Sequence, residues 1–231
     1  MKKFLFIKIM AATLFLGIFN QSCTDLEEEV FSEVTADNFF TTDEENIAAL
    51  GAAYTGLQNF FNEPFALHEI SSDEMVVPTR GADWFDNGNW QRIHLHTYQP
   101  GDDRVGGTWG VLYGGINTCN RLIFQFEELN DANLVPFIGE LKILRAFFYW
   151  QALDLYGNVP LVDRFDLPEG FVSSNGAGAG PLGAQRKLIY DFVESEVLAN
   201  IDGVTTTIGG EAYGRMNKWT AHAILAKLYM N

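Results

Sequence analysis

The stretch ELKILRAFFYWQALDLYGNVPLV, from Glu140 to Val162, decides the fold of this 231-residue chain. Its apolar residues recur at intervals of three and four, which predicts a helix from about Leu134 to Tyr156. Gly157 suits the left-handed conformation that ends many helices, and Pro160 prevents the helix from resuming. Residues 158–162 are therefore expected to leave the helix in an extended conformation.

Four more amphipathic helices are predicted around this central one. They span about 42–61, 108–126, 182–198 and 218 onward. The first begins with a capping box, in which Thr42 caps the helix and Glu45 reaches back to the backbone of Thr42. Arg145 and Lys218 are expected to pair with acidic side chains between helices. Tyr149 and Trp150 are expected to lie in the core.

Three stretches between the helices lack a helical period. Residues 62–106 carry three prolines and several glycines, which predicts a long ordered loop with short extended pieces. Residues 173–183 are rich in Gly, Ser and Ala and are interpreted as a flexible linker. Residues 202–214 predict a further loop, rich in Gly and Thr.

The fold class predicted from this pattern is mostly α. Alanines at the contact positions of helix pairs favour stacked helical hairpins, although no repeat of constant length is visible. The last helix reaches Asn231 without a C-cap, so we expect the chain to be the front part of a longer fold.

The first 22 residues have the pattern of a secretory signal peptide. Lys2 and Lys3 precede an apolar run from Phe4 to Phe19, which is shorter than the roughly 20 apolar residues that a membrane-spanning helix needs. The run ends at Ser22 and Cys23, which resemble a bacterial lipobox, where the cysteine is acylated and the signal is cut before it. An ordinary signal peptide followed by a chance cysteine is the alternative.

An acidic cluster follows Cys23 and consists of Asp25, Glu27, Glu28 and Glu29. Residues 23–35 are interpreted as a solvated acidic tether. The cluster also resembles the export signal behind the lipidated cysteine of surface lipoproteins in Bacteroides-like bacteria. This pattern predicts a lipid-anchored protein on the outer face of the outer membrane.

The chain without its first 22 residues is strongly acidic. Those residues carry three lysines and no acidic residue, so their removal leaves 12 basic and 30 acidic side chains, a net charge of −18. Because Lys and Arg carry phosphate binding, this charge argues against nucleic acid as a partner. It also argues against binding to anionic lipid through a basic patch.

Three motifs, taken together with their order along the chain, resemble the SusD/RagB family of outer-membrane nutrient-binding lipoproteins. The central motif consists of Leu144-Arg145-Ala146, the aromatic pair Phe148-Tyr149 and the exit Gly157-Asn158-Val159-Pro160-Leu161. The others run from Trp109 to Leu122 and from Gly214 to Tyr229. With the acidic cluster behind the cysteine, the resemblance covers nearly the whole chain.

The resemblance implies a superhelix of tetratricopeptide-like helical hairpins with long ligand-binding loops. It implies oligosaccharide ligands, lipid anchoring at the cell surface, and a TonB-dependent, SusC-like barrel transporter as partner. Family members are commonly near twice this length, so the resemblance implies that the chain is truncated at its C-terminus. It divides into a signal peptide (1–22), the tether (23–35) and the N-terminal part of a SusD-like helical region (36–231).

The candidate ligand-binding residues lie in segment 71–90, on which the family's binding site draws. Aromatic rings stack on the flat C–H faces of sugars, and a few aimed polar groups bind the hydroxyls. We therefore predict Trp84 and Trp90 as stacking platforms and Asp73 and Arg80 as hydroxyl ligands. The alternative is that both tryptophans fold back onto the helices as loop anchors.

Neither a metal site, a cofactor site nor a catalytic centre is predicted. Asn87-Gly88 predicts a turn rather than a calcium loop, and His94 and His96, placed on one strand face, lack a third ligand nearby. Cys119 is expected to be a small buried residue rather than a reactive thiol. The alternatives to a glycan-binding protein are a helical-repeat scaffold for protein partners and a surface glycoside hydrolase.

Overall fold

The part of the chain that the structure describes consists of helices and irregular loops. The structure is a computed structural model that describes residues 40, 42–60, 62–174 and 182–230. The helices are α1 (Asp43–Gln58), α2 (Pro64–Ser71), α3 (Asn89–His94), α4 (Asp103–Leu129), α5 (Val135–Tyr156), α6 (Leu182–Asn200) and α7 (Lys218–Met230). Within those ranges the only β-type pairing is an isolated antiparallel bridge between Arg80 and Asp83.

Helix α5 lies at the centre and contacts α1, α4, α6 and α7. Buried residues lie on every side of it, among them Leu141, Phe148 and Ala152. A helix that is apolar all round is one that neighbours enclose. A short connection joins α4 to α5 as a helical hairpin, and α6 packs on the other side of α5. The predicted mostly α, helical-hairpin fold is therefore confirmed.

Two predicted helix ends are also confirmed, the start of α1 and the end of α5. The backbone N–H of Glu45 donates to the Thr42 hydroxyl at 3.2 Å, and the N–H of Thr42 donates to the Glu45 carboxylate at 3.0 Å. At the C-terminal end of the central helix, α5, Gly157 has a φ of 72°, the conformation that favours glycine. Both ends thus form where local side-chain chemistry predicts them.

A buried ion pair joins α5 to α6 and holds the segment that follows α5. Arg145 donates to both carboxylate oxygens of Glu196, and the two side chains are 5% and 7% exposed. The remaining amino group of Arg145, Nη1, donates to the Asn120 side chain and to the Asp163 carbonyl, each at 2.6 Å. Burial raises the pKa of the Glu196 carboxyl, although Arg145 opposes that shift. The inter-helix pairing predicted for Arg145 is confirmed.

Three other expectations about single residues have mixed outcomes. Lys218 pairs with Asp202 at 2.7 Å, but this acid lies in the loop after α6 rather than in a helix. Tyr149 is fully buried, as expected for the core, whereas Trp150 is only partly buried.

The interpretation of residues 62–106 as a loop with extended pieces is wrong in part. Helices α2 and α3 lie inside this stretch, and α4 begins at Asp103 rather than near Thr108. Pro64 occupies the first turn of α2, where the missing N–H of a proline breaks no helical hydrogen bond. The start of α4 is hidden in the sequence because Gly106 and Gly107 interrupt its apolar period.

Several predicted segments lie outside the described residues. They are the signal peptide (1–22), the tether (23–35) with Cys23, and most of the linker (173–183). In the ranges that are described, none of the helices combines the length and apolarity that crossing a membrane requires.

Candidate functional site

The loop between α2 and α3 carries Asp73, Arg80 and Trp84 and has an unusual backbone, whereas Trp90 lies in α3. Positive φ angles occur at Trp84 (57°), Asp86 (40°), Asn87 (54°) and Gly88 (77°). Gly and Asn adopt this left-handed conformation readily, whereas a bulky aromatic residue there is strained by about 1–3 kcal/mol. Contacts from the rest of the fold must therefore hold Trp84 in this conformation.

The rings of Trp84 and Trp90 lie against each other. Their centroids are 6.1 Å apart and the ring planes are tilted by 60°. Trp84 is 59% exposed, whereas Trp90 is 6% exposed. The Trp84 ring is therefore largely open to solvent, and the buried ring of Trp90 packs against it.

Trp90 is buried by contacts with other side chains. Its indole N–H donates to the Asp86 carboxylate, and the Arg104 guanidinium lies 4.5 Å from the centroid of the ring. Trp90 also packs in a small apolar cluster with Leu67, Ile70 and Ile93. We therefore revise the role of Trp90 as a stacking platform, because a ring this buried has no free face. The loop-anchor alternative describes Trp90 but not Trp84.

Arg80 and Asp73 are exposed on the same loop. The backbone groups of Arg80 pair with those of Asp83 at 3.0 Å in both directions, and no described residue forms an ion pair with its guanidinium. The Asp73 side chain is 78% exposed, and its carboxylate lies 3.4 Å from Nδ1 of His94. Neither side chain hydrogen-bonds to Trp84 or Trp90. Both are available to hydroxyl groups, but the structure does not join them to the tryptophan pair.

The sequence did not predict a polar cluster that contacts the loop. Arg92 donates to both oxygens of Asp102, at 2.9 and 2.7 Å, and to the Asn87 carbonyl at 2.7 Å. Asp102 also accepts from the backbone N–H of Gln99 at 2.9 Å. These hydrogen bonds hold the pKa of the Asp102 carboxyl below its ordinary value. The available signal was the spacing of Arg80, Arg92 and Arg104 within one predicted loop of an otherwise base-poor chain.

Other exposed apolar side chains lie on the same segment. Phe85 is 48% exposed, Leu95 66% and Tyr98 43%. Exposed apolar area rimmed by polar residues marks interaction sites on soluble proteins. Segment 71–98 therefore has the composition of a binding surface rather than of a plain connection.

The histidines and the cysteine of the described region make ordinary structural contacts. The prediction that His94 and His96 share one strand face is wrong, because His94 lies in α3 and His96 follows that helix with a φ of 55°. His96 hydrogen-bonds to the Ser71 carbonyl at 2.8 Å. Cys119 is fully buried, and burial raises its thiol pKa to about 12, so it is un-ionised at neutral pH. The expectation of a small buried residue at this position is confirmed.

In sequence and in fold, the chain is similar to SusD-like proteins, and the resemblance carried by the motifs is confirmed. Starch-binding protein SusD of Bacteroides thetaiotaomicron is 25% identical over 178 residues, which cover 76% of this chain and 29% of that protein. SusD-like protein P2 of Formosa agariphila is 25% identical over 217 residues, covering 90% of this chain and 40% of that protein. No protein-family model matches the chain.

A solved structure gives the same result for the fold. A laminarin binding SusD-like protein matches with a TM-score of 0.66 and 22% identity, covering 82% of this chain and 40% of that chain. The tetratricopeptide-like helical fold with long loops is thereby confirmed. The chain spans about a third of the length of the curated relatives it matches, from 29% to 40%. Two of these similar proteins are named for binding, the starch-binding protein and the laminarin binding SusD-like protein.

Proposed function

We propose that this protein is a cell-surface lipoprotein that binds oligosaccharide or polysaccharide and delivers it to a TonB-dependent, SusC-like transporter of the outer membrane. The observation that carries the proposal is Trp84, whose ring is 59% exposed although its backbone is held in a strained left-handed conformation. Relatives named for starch and laminarin binding support the same ligand class.

The geometry of Trp84 suits a sugar ring. An exposed indole gives a large flat contact area with few rotatable bonds, so little conformational entropy is lost on binding. Its support by Trp90 and the loop backbone fixes the ring before the ligand arrives. Arg80 and Asp73 supply a donor and an acceptor for hydroxyl groups on the same loop. Asp73, Arg80 and Trp84 are therefore the proposed ligand-binding residues, with Trp90 as the support.

Membrane attachment belongs to the same proposal. Acylation of Cys23 with two or more chains would anchor the protein stably, since one chain gives only marginal binding. The tether at residues 23–35 would let the helical region approach ligand and transporter while it stays anchored.

Affinity electrophoresis of the full chain tests the ligand class. Native gels would contain starch, laminarin, xylan, mannan, pectin or alginate, and retardation in at least one of them is expected. Trp84→Ala should abolish most of that retardation. Trp219→Ala is the matched control, because Trp219 lies in α7 and is 56% exposed, close to the exposure of Trp84.

The same protein samples separate the alternatives. Release of reducing sugar from a retarding polysaccharide would favour the glycoside hydrolase. If all six polysaccharides fail to retard the chain and another protein co-purifies with it stably, the scaffold is favoured. Retardation that depends on Trp84, without sugar release, supports the proposed function.

A further inference from the structure

Arg92 connects the loop that carries Trp84 to the N-terminus of α4. Arg92 in α3 donates through Nη1 to the carbonyl of Asn87, at 2.7 Å. Through Nε and Nη2 it donates to the two oxygens of Asp102, which is the residue that precedes α4. Nη2 also donates to the side chain of Asn89. The guanidinium therefore contacts the loop, α3 and the start of α4 at the same time.

Each partner of Arg92 is itself fixed. Asp102 accepts a backbone hydrogen bond from Gln99 and is 12% exposed, and Asn89 donates to Asp103 at 3.1 Å. Two parallel N–H groups on one carboxylate form the planar fork that an arginine can make and a lysine cannot. The contacts of Arg92 thus have a defined direction as well as a charge.

The conformation of residues 84–88 needs such a restraint. Trp84, Asp86 and Asn87 all have positive φ without being glycine. Ordering a backbone residue costs conformational entropy. A loop that is already ordered spares the ligand this cost, which is the general advantage of preorganised sites.

We propose that Arg92 and Asp102 are positioning residues for Trp84: their ion pair keeps residues 84–88 in the conformation that displays the Trp84 ring, without either residue contacting the sugar. This inference rests on the proposed function of Trp84. It assigns a binding role to two side chains that neither the family motifs nor the sequence pattern singled out.

Amide hydrogen exchange of the full chain tests the restraint without any ligand. Arg92→Ala and Asp102→Ala should each raise exchange within residues 84–88 by about tenfold at the Gly88 amide, which donates to the Phe85 carbonyl; this is the factor expected when hydrogen bonds worth roughly 1.4 kcal/mol are lost. Exchange in α5 should not change. Arg164→Ala is the matched control, because it removes an exposed Arg–Asp pair, Arg164 with Asp166, outside this loop. Unchanged exchange at 84–88 in both variants would overturn the inference.

A double-mutant cycle tests the connection to binding. Maltoheptaose and laminarihexaose serve as probes, measured by titration calorimetry. Arg92→Ala should weaken binding about tenfold, and Asp102→Asn should weaken it less because its amide oxygen still accepts from Arg92. In a Trp84→Ala background, Arg92→Ala should add less than a twofold loss, since the ring that Arg92 positions is then absent.

The outcomes separate the two proposals. If Trp84→Ala binds both probes like the wild type, the proposed function fails while the exchange experiment still decides the restraint. If Trp84→Ala weakens binding but Arg92→Ala does not, the positioning role is wrong. A full tenfold loss from Arg92→Ala on top of Trp84→Ala would show that Arg92 acts independently of the ring and would also contradict the positioning role.

Discussion

Trp84, in the loop before α3, and Trp90, in α3, differ in exposure, and only Trp90 has polar partners at its indole. The N–H of Trp90 meets Asp86 and its ring meets Arg104, whereas Trp84 remains 59% exposed. The sequence predicted that this loop carries an aromatic pair. It could not predict which ring faces solvent, since that depends on Arg104, which belongs to α4 and reaches Trp90 only in the folded chain.

The ion pair of Asp102 predicts an acid-sensitive loop. Hydrogen bonds from Arg92 and from the Gln99 N–H lower the pKa of Asp102 from 3.8, with Asp103 as the neighbouring acid. A carboxyl with a lowered folded-state pKa stabilises the fold above its unfolded-state pKa and loses this contribution as the pH falls through the folded-state value. We expect exchange protection at residues 84–88 to be constant near neutral pH and to fall once the pH drops below 3.8.

The variant Asp102→Asn is the control for this acid response. Its loop should be less protected at neutral pH, and its protection should not decrease further through the titration of this position. If the acid-induced loss in Asp102→Asn equals that of the wild type, another carboxyl is responsible and the assignment to Asp102 is wrong.

Helix packing explains a glycine that the sequence alone left without a role. A Cβ built on Gly115 of α4 would lie 2.5 Å from two ring atoms of Phe148, which is fully buried in α5. We expect Gly115→Ala to lower the free energy of unfolding by about 1–3 kcal/mol, because the core is already filled where the methyl group would go. Urea denaturation at constant m-value measures the change.

Gly110 provides the matched control on the same helix. A Cβ there would meet no atom within 4 Å. Gly110→Ala should therefore stabilise the protein by up to about 1 kcal/mol through helix propensity. Equal effects of the two substitutions would contradict the close approach of α4 to Phe148.

The helices were predictable to different degrees for physical reasons. Helices α5, α6 and α7 have long apolar periods and start where their sequence predicts, within one residue or so. Helices α2 and α3 are short, and the sequence around Pro64 has the same composition as a loop. Their formation depends on the apolar cluster of Leu67, Ile70, Trp90 and Ile93, which joins residues distant in sequence. A local pattern does not contain that contact.

At the scale of the whole molecule, the motif order identified the fold and the type of relative. The comparisons confirm both, although each relative is matched over less than half of its length. The candidate site was predictable as a segment, 71–90, but not as an arrangement. Arg92 and Asp102 were missed because their role arises from an ion pair between α3 and the start of α4, and neither residue has the chemistry of a sugar platform.

The proposed anchoring concerns the whole molecule and rests on the sequence around Cys23. We expect Cys23→Ala, expressed in a bacterium that acylates lipoproteins, to move from the membrane fraction to the soluble fraction. Its glycan binding should be retained, since Trp84 is not altered. Cys119→Ala should stay in the membrane fraction, because Cys119 is buried in the core. A Cys23→Ala protein that still sediments with membranes would contradict anchoring through Cys23.

The central claim is that this chain binds glycan through the exposed ring of Trp84. Calorimetric titration with an oligosaccharide from the polysaccharide that retards the wild type tests it most directly. The account predicts a saturable titration that Trp84→Ala weakens about tenfold or more, as expected for the loss of roughly 1.4 kcal/mol of ring contact, while Trp219→Ala leaves it unchanged. Equal affinity of Trp84→Ala and the wild type, or an equal loss in Trp219→Ala, would contradict it.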